Sequence, residues 1–256
     1  MDRIDLNCDL GESFGAYRIG LDEEVVPHVT SVNIACGWHA GDPLVMEKTV
    51  AMAKQHHVAV GAHPGFPDLL GFGRREIKAS PDEVYAYVKY QLGALYAFAH
   101  SQGLEVQHMK AHGSLYNMAG KDIRLAEAMC RACRDFDSQL IILALAGSQM
   151  EQAAKEMGVP CAREFFADRA YAPDGNLAPR SQPGAVIHDT QVALDRVVRM
   201  IKEGKVQATN GEDIPVQCDS ICVHGDNESA IAFVTAIRSR LTEEGITCQS
   251  FGSFVR

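Results

Sequence analysis

The segment KAHGSLYN at residues 110–117 brings a lysine, a histidine, a tyrosine and an asparagine together directly after an apolar–polar run at 104–109. Side chains of these types act as general acids and bases and hold anionic groups. An ordinary turn after a buried strand needs only glycine, proline or short polar residues. The segment therefore predicts a chemical site at the end of a strand.

The same pairing of an ionisable side chain with a nearby glycine follows other strand-like runs. The segments are NCDLGE at 7–12, CGWHAGD at 36–42, GAHPG at 61–65 and HGD at 224–226. A sixth strand end, EFFADRAY at 164–171, has ionisable side chains without the glycine. Glycine lets the backbone approach a ligand closely, at an entropic cost that ordinary turns seldom repeat. A single histidine at a strand end is more often a turn or capping residue. The repetition favours one shared site.

The residue types in these segments indicate hydrolysis, assisted by a metal or by acid–base groups alone. The oxygen and nitrogen ligands of a zinc-, manganese- or cobalt-like ion are offered by Asp9, His39, His63 and His112. Such an ion would polarise a carbonyl and activate a bound water. The alternative without metal is Asp9 or Glu12 as general base, with an imidazole as the acid.

Cationic side chains in or near the same segments are candidates for holding a carboxylate or a developing oxyanion. They are Lys110, Arg74, Arg75 and Arg169. The Arg74-Arg75 pair has a second interpretation, as a solvated pair on the surface.

The elements that must position these groups alternate along the chain. Strands are predicted at 4–8, 31–36, 58–62, 106–110, 140–145, 161–166 and 220–224, and helices at 43–56, 81–102, 122–135, 148–157, 189–203 and 227–244. This alternation predicts an α/β fold with a parallel sheet. Evenly spread strands without a linker favour one distorted, seven-stranded (β/α) barrel that spans 1–256 as a single domain. In such a barrel the carboxyl ends of all strands converge on one face, so the segments would meet at one mouth.

The irregular segment 168–188, rich in glycine and proline, predicts a binding loop or lid. No G-x-x-x-x-G-K-[ST], G-x-G-x-x-G or G-x-S-x-G pattern is found in the sequence, so no ATP site, dinucleotide site or serine-hydrolase elbow is signalled.

Composition limits the class of partner. The formal net charge of −9 argues against nucleic acid or an anionic membrane, since both need a basic surface. No apolar run approaches the roughly 20 residues that span a bilayer, and the first residues lack the apolar core of a signal peptide. The 8 cysteines mostly lie in apolar runs, and the C-x-x-C at 130–133 lies inside a predicted helix. We expect a reduced, cytoplasmic protein.

Taken together, the motifs resemble the LamB/YcsF family. The matching segments are LNCDLGE at 6–12, SVNIACGWHAGD at 31–42, GAHPGFPD at 61–68, GFGRR at 71–75, the octet at 110–117, FADR at 166–169 with Glu164 and Tyr171, and VHGD at 223–226. They cover nearly the whole chain in the family's order. One departure is that the family usually has proline and alanine where this chain has Ala111 and Ser114; the reactive side chains of the octet remain.

The resemblance implies a barrel of the glycoside hydrolase/deacetylase type. It also implies hydrolysis of 5-oxo-L-proline to L-glutamate, coupled to ATP hydrolysis in a complex with two other 5-oxoprolinase subunits. A five-membered lactam is an unstrained amide whose opening is poorly driven, so phosphorylation of its amide oxygen would supply both drive and a leaving group. This chain offers candidates only for the water-activating half of that chemistry. ATP is therefore an expected cofactor without a visible site, and a divalent metal is a second.

The candidate residues divide by expected role. Catalysis is assigned to Asp9, Glu12, His39, Lys110 and His112. Substrate binding is assigned to His63, Arg74, Tyr116, Asn117, Glu164, Arg169 and His224, and metal binding to Asp9, His39 and His63. Two alternatives remain: a freestanding metal-dependent hydrolase of amides or carbohydrate N-acetyl groups, and a non-catalytic subunit that only binds ligand.

Overall fold

The structure is a computed structural model that describes residues 2–179, 182–223 and 228–255. Its strands are β1 (Arg3–Leu10), β2 (Ser31–Ala35), β3 (Ala59–His63), β4 (Val106–Met109), β5 (Ile141–Leu145), β6 (Cys161–Phe166), β7 (Lys205–Gln207), β8 (Asp213–Pro215), β9 (Ser220–Val223) and β10 (Thr247–Cys248). Its α-helices are α1 (Asp22–Val25), α2 (Pro43–Gln55), α3 (Pro81–Ser101), α4 (Gly113–Ala119), α5 (Ile123–Phe136), α6 (Gln149–Met157), α7 (Thr190–Glu203) and α8 (Glu228–Glu243).

Seven parallel strands close into a barrel. The order is β1-β2-β3-β4-β5-β6-β9, and β9 pairs back onto β1 with Asp5 opposite Ser220 and Cys8 opposite Val223. The short β10 pairs in parallel with the first residues of β1, Arg3 and Ile4. The predicted seven-stranded (β/α) barrel is therefore confirmed.

Residues of β1 alternate between two environments. Ile4, Leu6, Cys8 and Leu10 belong to the hydrophobic cluster, and all four are almost fully buried. Asp5 and Asn7 are polar but also fully buried, and each hydrogen-bonds to the side chain of Ser220 on the neighbouring strand β9. Since side chains of a strand alternate in direction, the barrel interior along β1 is filled with polar groups that satisfy one another.

Helix caps follow the signals in the sequence. The Asp42 carboxylate accepts from the backbone N–H groups of Leu44 and Val45 ahead of α2. Ser80 and Glu83 form a reciprocal capping box at the start of α3. In both helices proline occupies the first turn, where its missing N–H costs nothing. These caps fix the residue at which each helix begins.

Short elements escaped the sequence analysis. The helix α4 starts inside the 110–117 octet, at a left-handed Gly113 with φ +56. The antiparallel β7–β8 hairpin and β10 also lie outside the predicted strands. The described part of the 168–188 segment is ordered by backbone bridges of Arg169 with Val186 and of Tyr171 with Leu177. Among the described residues, no helix is both long and apolar enough to cross a membrane.

Gly61 makes room for a buried ring inside the barrel. A Cβ added at this position would lie 2.1 Å from Nε2 of His108. We therefore expect Gly61→Ala to lower the free energy of unfolding by about 1–3 kcal/mol, the usual cost of overpacking a core. Urea unfolding followed by circular dichroism measures the change.

The matched control for that substitution is Gly93 on α3, where an added Cβ meets nothing within 4 Å. Gly93→Ala should stabilise the protein by up to about 1 kcal/mol, because alanine favours a helix interior. Equal unfolding midpoints for the two alanine variants would contradict this account of the barrel interior.

Candidate active site

Asp9 lies near the carboxyl end of β1, and its two carboxylate oxygens have different partners. Oδ1 accepts from the side-chain amide of Asn33 at 2.8 Å and from the Lys110 ammonium at 3.1 Å. Oδ2 lies 3.4 Å from Nε2 of His63. Burial alone would raise the pKa of Asp9, but His63 and Lys110 hold that pKa well below its usual range. Asp9 is therefore an anion at neutral pH.

Three histidines from three strand ends meet beside Asp9. His39 follows β2, His63 ends β3 and His112 follows β4. The rings of His39 and His112 stack with centroids 3.6 Å apart, and the ring of His63 is nearly perpendicular to both. All three side chains are buried. Segments that are far apart in sequence thus converge as the strand-end pattern predicts.

Backbone carbonyls fix the tautomers of two of these rings. His63 Nδ1 lies 2.8 Å from the Lys110 carbonyl oxygen, and His112 Nε2 lies 2.8 Å from that of Phe72. A carbonyl only accepts, so these two nitrogens carry the hydrogens. In the neutral rings, the lone pairs of His63 Nε2 and His112 Nδ1 then face each other across 3.0 Å. A cation between these two nitrogens would remove the repulsion between their lone pairs.

A proton on His112 or on His39 is disfavoured. Burial, with the neighbouring His39 and His63, lowers the pKa of His112 to about 3. Burial likewise lowers the pKa of His39 well below its usual value. Neutral imidazoles whose other ring nitrogen donates to a fixed carbonyl are the form in which histidine binds metal ions.

Glu12 completes a donor cluster. Its Oε1 lies 3.2 Å from His39 Nε2 and 3.5 Å from His112 Nδ1. Donor atoms of Glu12, His39, His63 and His112 all lie within 4.8 Å of one another. Three imidazoles and a carboxylate suit a zinc-like divalent ion. The sequence offered Asp9, His39, His63 and His112 as metal ligands and assigned the first three; in the structure Glu12 clusters with the three histidines, and Asp9 lies against His63.

Lys110 is bound by protein carboxylates. Its side chain is 3% exposed, and its ammonium lies 2.7 Å from Glu164 Oε1 and 3.1 Å from Asp9 Oδ1. Burial would lower its pKa, but the nearby Asp9, Cys222 and Glu164 raise the pKa well above its usual value. The second oxygen of Glu164 accepts from the Tyr116 hydroxyl at 2.7 Å. Lys110 is thus a permanent cation that holds the two carboxylates in place.

The cluster opens into a cavity of about 530 Å³ at the barrel mouth. Predicted site residues that line it are Asp9, Glu12, His63, Arg74, Lys110, His112, Tyr116, Asn117 and Arg169. His39 and Glu164 are fully buried behind this lining. His224, with the rest of the HGD segment, lies outside the described residues.

The predicted arginines have separate environments. Arg74 is exposed and lies over the Phe72 ring, 5.2 Å from its centroid. Arg75 pairs with Asp68 and does not line the cavity, as expected for the surface interpretation of that residue. Arg169 is buried and donates to the Ala178 carbonyl at 2.7 Å.

Sequence reasoning missed functional-site residues that do not follow a strand end. Asn7, Asn33 and His108 are fully buried inside the barrel, beneath Asp9 and Lys110. Asn7 and Asn33 are each flanked by apolar residues within a buried strand, which is the signal that could have identified these two. Asp22 is a further addition: it lines the cavity and accepts from the Gly11 N–H at 2.8 Å, which fixes the turn before Glu12.

Comparison with known proteins identifies the family and supports the fold. The chain is 55% identical over 254 residues to the A subunit of 5-oxoprolinase from Pyrococcus furiosus, covering 99% of this chain and 100% of that protein. It is 57% identical over 246 residues to the A subunit of 5-oxoprolinase from Clostridium beijerinckii, covering 96% of each. The crystal structure of the lactam utilization protein from Thermus thermophilus superposes with a TM-score of 0.92 at 46% identity, covering 96% of this chain and 99% of that one. The model of the LamB/YcsF family matches residues 4–256. The chain belongs to the LamB/YcsF family.

Proposed function

We propose that this chain is the A subunit of an ATP-dependent 5-oxoprolinase and that the ring of 5-oxo-L-proline is opened at its barrel mouth. The observation that carries the proposal is the convergence of Asp9, Glu12 and three histidines on one cavity, in a chain more than half identical to proteins that bear this subunit's name. Ring opening adds hydroxide to the lactam carbonyl carbon, breaks the C–N bond and returns a proton to the nitrogen, which gives L-glutamate.

The protonation states support a division of roles. Asp9 is held as an anion, so its Oδ2 can accept a proton from the attacking water, and its lowered pKa makes it a weaker base than an ordinary carboxylate. Burial raises the pKa of Glu12, and attraction to His112 offsets only part of this. In a site without a metal ion, Glu12 is therefore suited to deliver a proton to the departing nitrogen. Two carboxyl groups whose pKa values are pushed apart by their surroundings are the usual basis for separate base and acid roles.

The donor chemistry also fits a divalent metal ion. Glu12, His39, His63 and His112 would hold it, because their ligand atoms already converge and two imidazole lone pairs face each other at 3.0 Å. Such an ion supplies Lewis-acid polarisation of the carbonyl and makes a bound water more acidic. In either case Asp9 keeps its place beside His63.

Substrate binding is assigned to the outer part of the cavity. Its lining offers the cations Arg74 and Arg169 for the lactam carboxylate, and Tyr116 and Asn117 for hydrogen bonds. Lys110 is committed to Asp9 and Glu164, so we assign it to charge balance rather than to gripping the substrate.

ATP and two partner subunits complete the proposal. The sequence carries no phosphate-binding motif, and its relatives are named as one subunit of an enzyme. We therefore propose that the transfer of phosphate from ATP to the lactam oxygen depends on the partner subunits. This chain then adds water to the activated carbon and breaks its C–N bond, which leaves an acyl phosphate; hydrolysis of that acyl phosphate by a second water releases phosphate and L-glutamate.

The test is an assay of glutamate formation from 5-oxoproline, with ATP and each of the subunits omitted in turn. We expect turnover only in the complete mixture. Turnover of amides by this chain alone, without ATP, would refute the proposal and favour a freestanding metal-dependent hydrolase.

We also propose a reducing, cytoplasmic location. Cys8, Cys36, Cys130, Cys133, Cys161, Cys218, Cys222 and Cys248 are all free thiols. Burial raises the pKa of Cys133 well above its usual value, so this thiol is kept unreactive. Disulfides are rare where thiols are kept reduced.

A further inference from the structure

Asn33 lies fully buried in the barrel interior beneath Asp9, and both N–H groups of its side-chain amide are hydrogen-bonded. The Asn33 side-chain nitrogen donates to Asp9 Oδ1 and to Asn7 Oδ1, both at 2.8 Å. Its side-chain oxygen lies 2.7 Å from Nε2 of His108. Both hydrogens of the amide are thus used, and its oxygen is aimed at a histidine.

The charges of Lys110 and Asp9 fix the orientation of the side-chain amides of Asn7 and Asn33. The Lys110 ammonium only donates, so the Asn7 oxygen must face it, at 3.2 Å. The Asp9 carboxylate only accepts, so the Asn33 nitrogen must face it. Turning Asn33 over would place its oxygen against the oxygens of both Asp9 and Asn7. His108 must therefore donate from Nε2.

This orientation carries a stability cost. With hydrogen on Nε2, the Nδ1 of neutral His108 is an acceptor, and it is buried without a hydrogen-bond partner among the described residues. An unsatisfied buried polar atom destabilises the folded protein. The His108 ring packs against the Phe251 ring, with the two centroids 4.9 Å apart. The absence of a side chain at Gly61 leaves room for the His108 ring. A core selected for stability alone would have an apolar residue here.

We propose that Asn33, held in place by the hydrogen bond from His108, is the positioning residue that aims Asp9 in the ring-opening reaction. The inference rests on the proposed function. With Oδ1 held by Asn33 and Lys110, the Asp9 carboxylate presents Oδ2 toward His63, at 3.4 Å. Without the amide, the carboxylate is free to turn both oxygens toward the Lys110 ammonium, which withdraws Oδ2 from the reacting atoms.

The first test compares two substitutions of His108 in the complete enzyme complex. His108→Gln keeps an N–H donor near the place of Nε2, whereas His108→Leu removes the donor at similar volume. We expect His108→Leu to lower kcat about 10–100-fold, the usual effect of losing a group that orients a functional side chain, with KM changed less than about 3-fold. His108→Gln should stay within about 3-fold of the wild-type kcat.

The outcomes separate the two claims. Wild-type kcat in a folded His108→Leu variant, beside an active wild-type complex, would overturn the positioning role. An inactive wild-type complex would instead overturn the proposed function.

A second measurement depends neither on turnover nor on a catalytically active variant. Long-range ¹H–¹⁵N spectra of the intact chain with ¹⁵N-labelled histidine report which ring nitrogen carries hydrogen, and His108→Gln identifies the signal by its loss. We expect the Nε2–H form of His108. A Nδ1–H form, or a doubly protonated ring at neutral pH, would refute the inference.

Discussion

Asp9→Asn should lower the ATP-dependent turnover of 5-oxoproline by about 10²–10⁴-fold, the range attributed to a positioned general base. The amide has almost the same shape as the carboxylate, and its oxygen still accepts from Asn33. It has no charge and cannot accept a proton. The measurement is glutamate formation by the complete complex, with circular dichroism and complex assembly checked on the same variant.

The matched control for that substitution is Asp82→Asn on α3. The Asp82 side chain is 90% exposed and pairs only with Arg131 among the described residues. An exposed ion pair contributes little to stability, so this variant should keep wild-type turnover. Wild-type turnover in Asp9→Asn itself would show that the base lies elsewhere.

The second large effect concerns the metal. We expect elemental analysis of the purified chain to find about one divalent ion per chain, the stoichiometry of a single donor cluster. Removal of the ion by a chelator should lower the unfolding temperature, because an ion that binds only the folded state stabilises it by mass action. It should also remove turnover, and zinc, manganese or cobalt should restore both.

His112→Ala distinguishes this cluster from adventitious binding. The variant loses one imidazole of the cluster and should lose both the bound ion and the chelator effect on the unfolding temperature. His56→Ala, at the exposed C-cap of α2, is the control and should keep both. An ion content that is equal in the two variants would contradict the assignment, and no ion in the wild-type chain would favour acid–base catalysis by Asp9 and Glu12 alone.

The sequence was most informative about strand ends. The alternation of strand-like and helix-like runs, with the helix-start signals, located all seven barrel strands to within a few residues. In a parallel barrel the ends of these strands lie on one face, so Asp9, His39, His63 and His112 had to meet there. An ionisable side chain with a nearby glycine follows five of the seven predicted strands; this pattern is local, so it is visible without the structure.

Other features depend on packing that a linear pattern does not carry. Asn33 and His108 lie within strands that are buried on both faces, where polar residues look like isolated exceptions. That Lys110 is bound by Glu164 and Asp9 depends on the register of β4 against distant strands. The tautomers of His63 and His112 depend on the position of two backbone carbonyls. The short α4 escaped because a seven-residue helix that starts at a left-handed glycine has little periodicity.

The most direct measurement is a crystal structure of the Asp9→Asn complex with 5-oxoproline and a non-hydrolysable ATP analogue. If the lactam is opened at this mouth, its carbonyl should lie beside His63 and His112, with its carboxylate near Arg74 or Arg169. A lactam bound only in a partner subunit, with this cavity filled by solvent, would contradict the central claim.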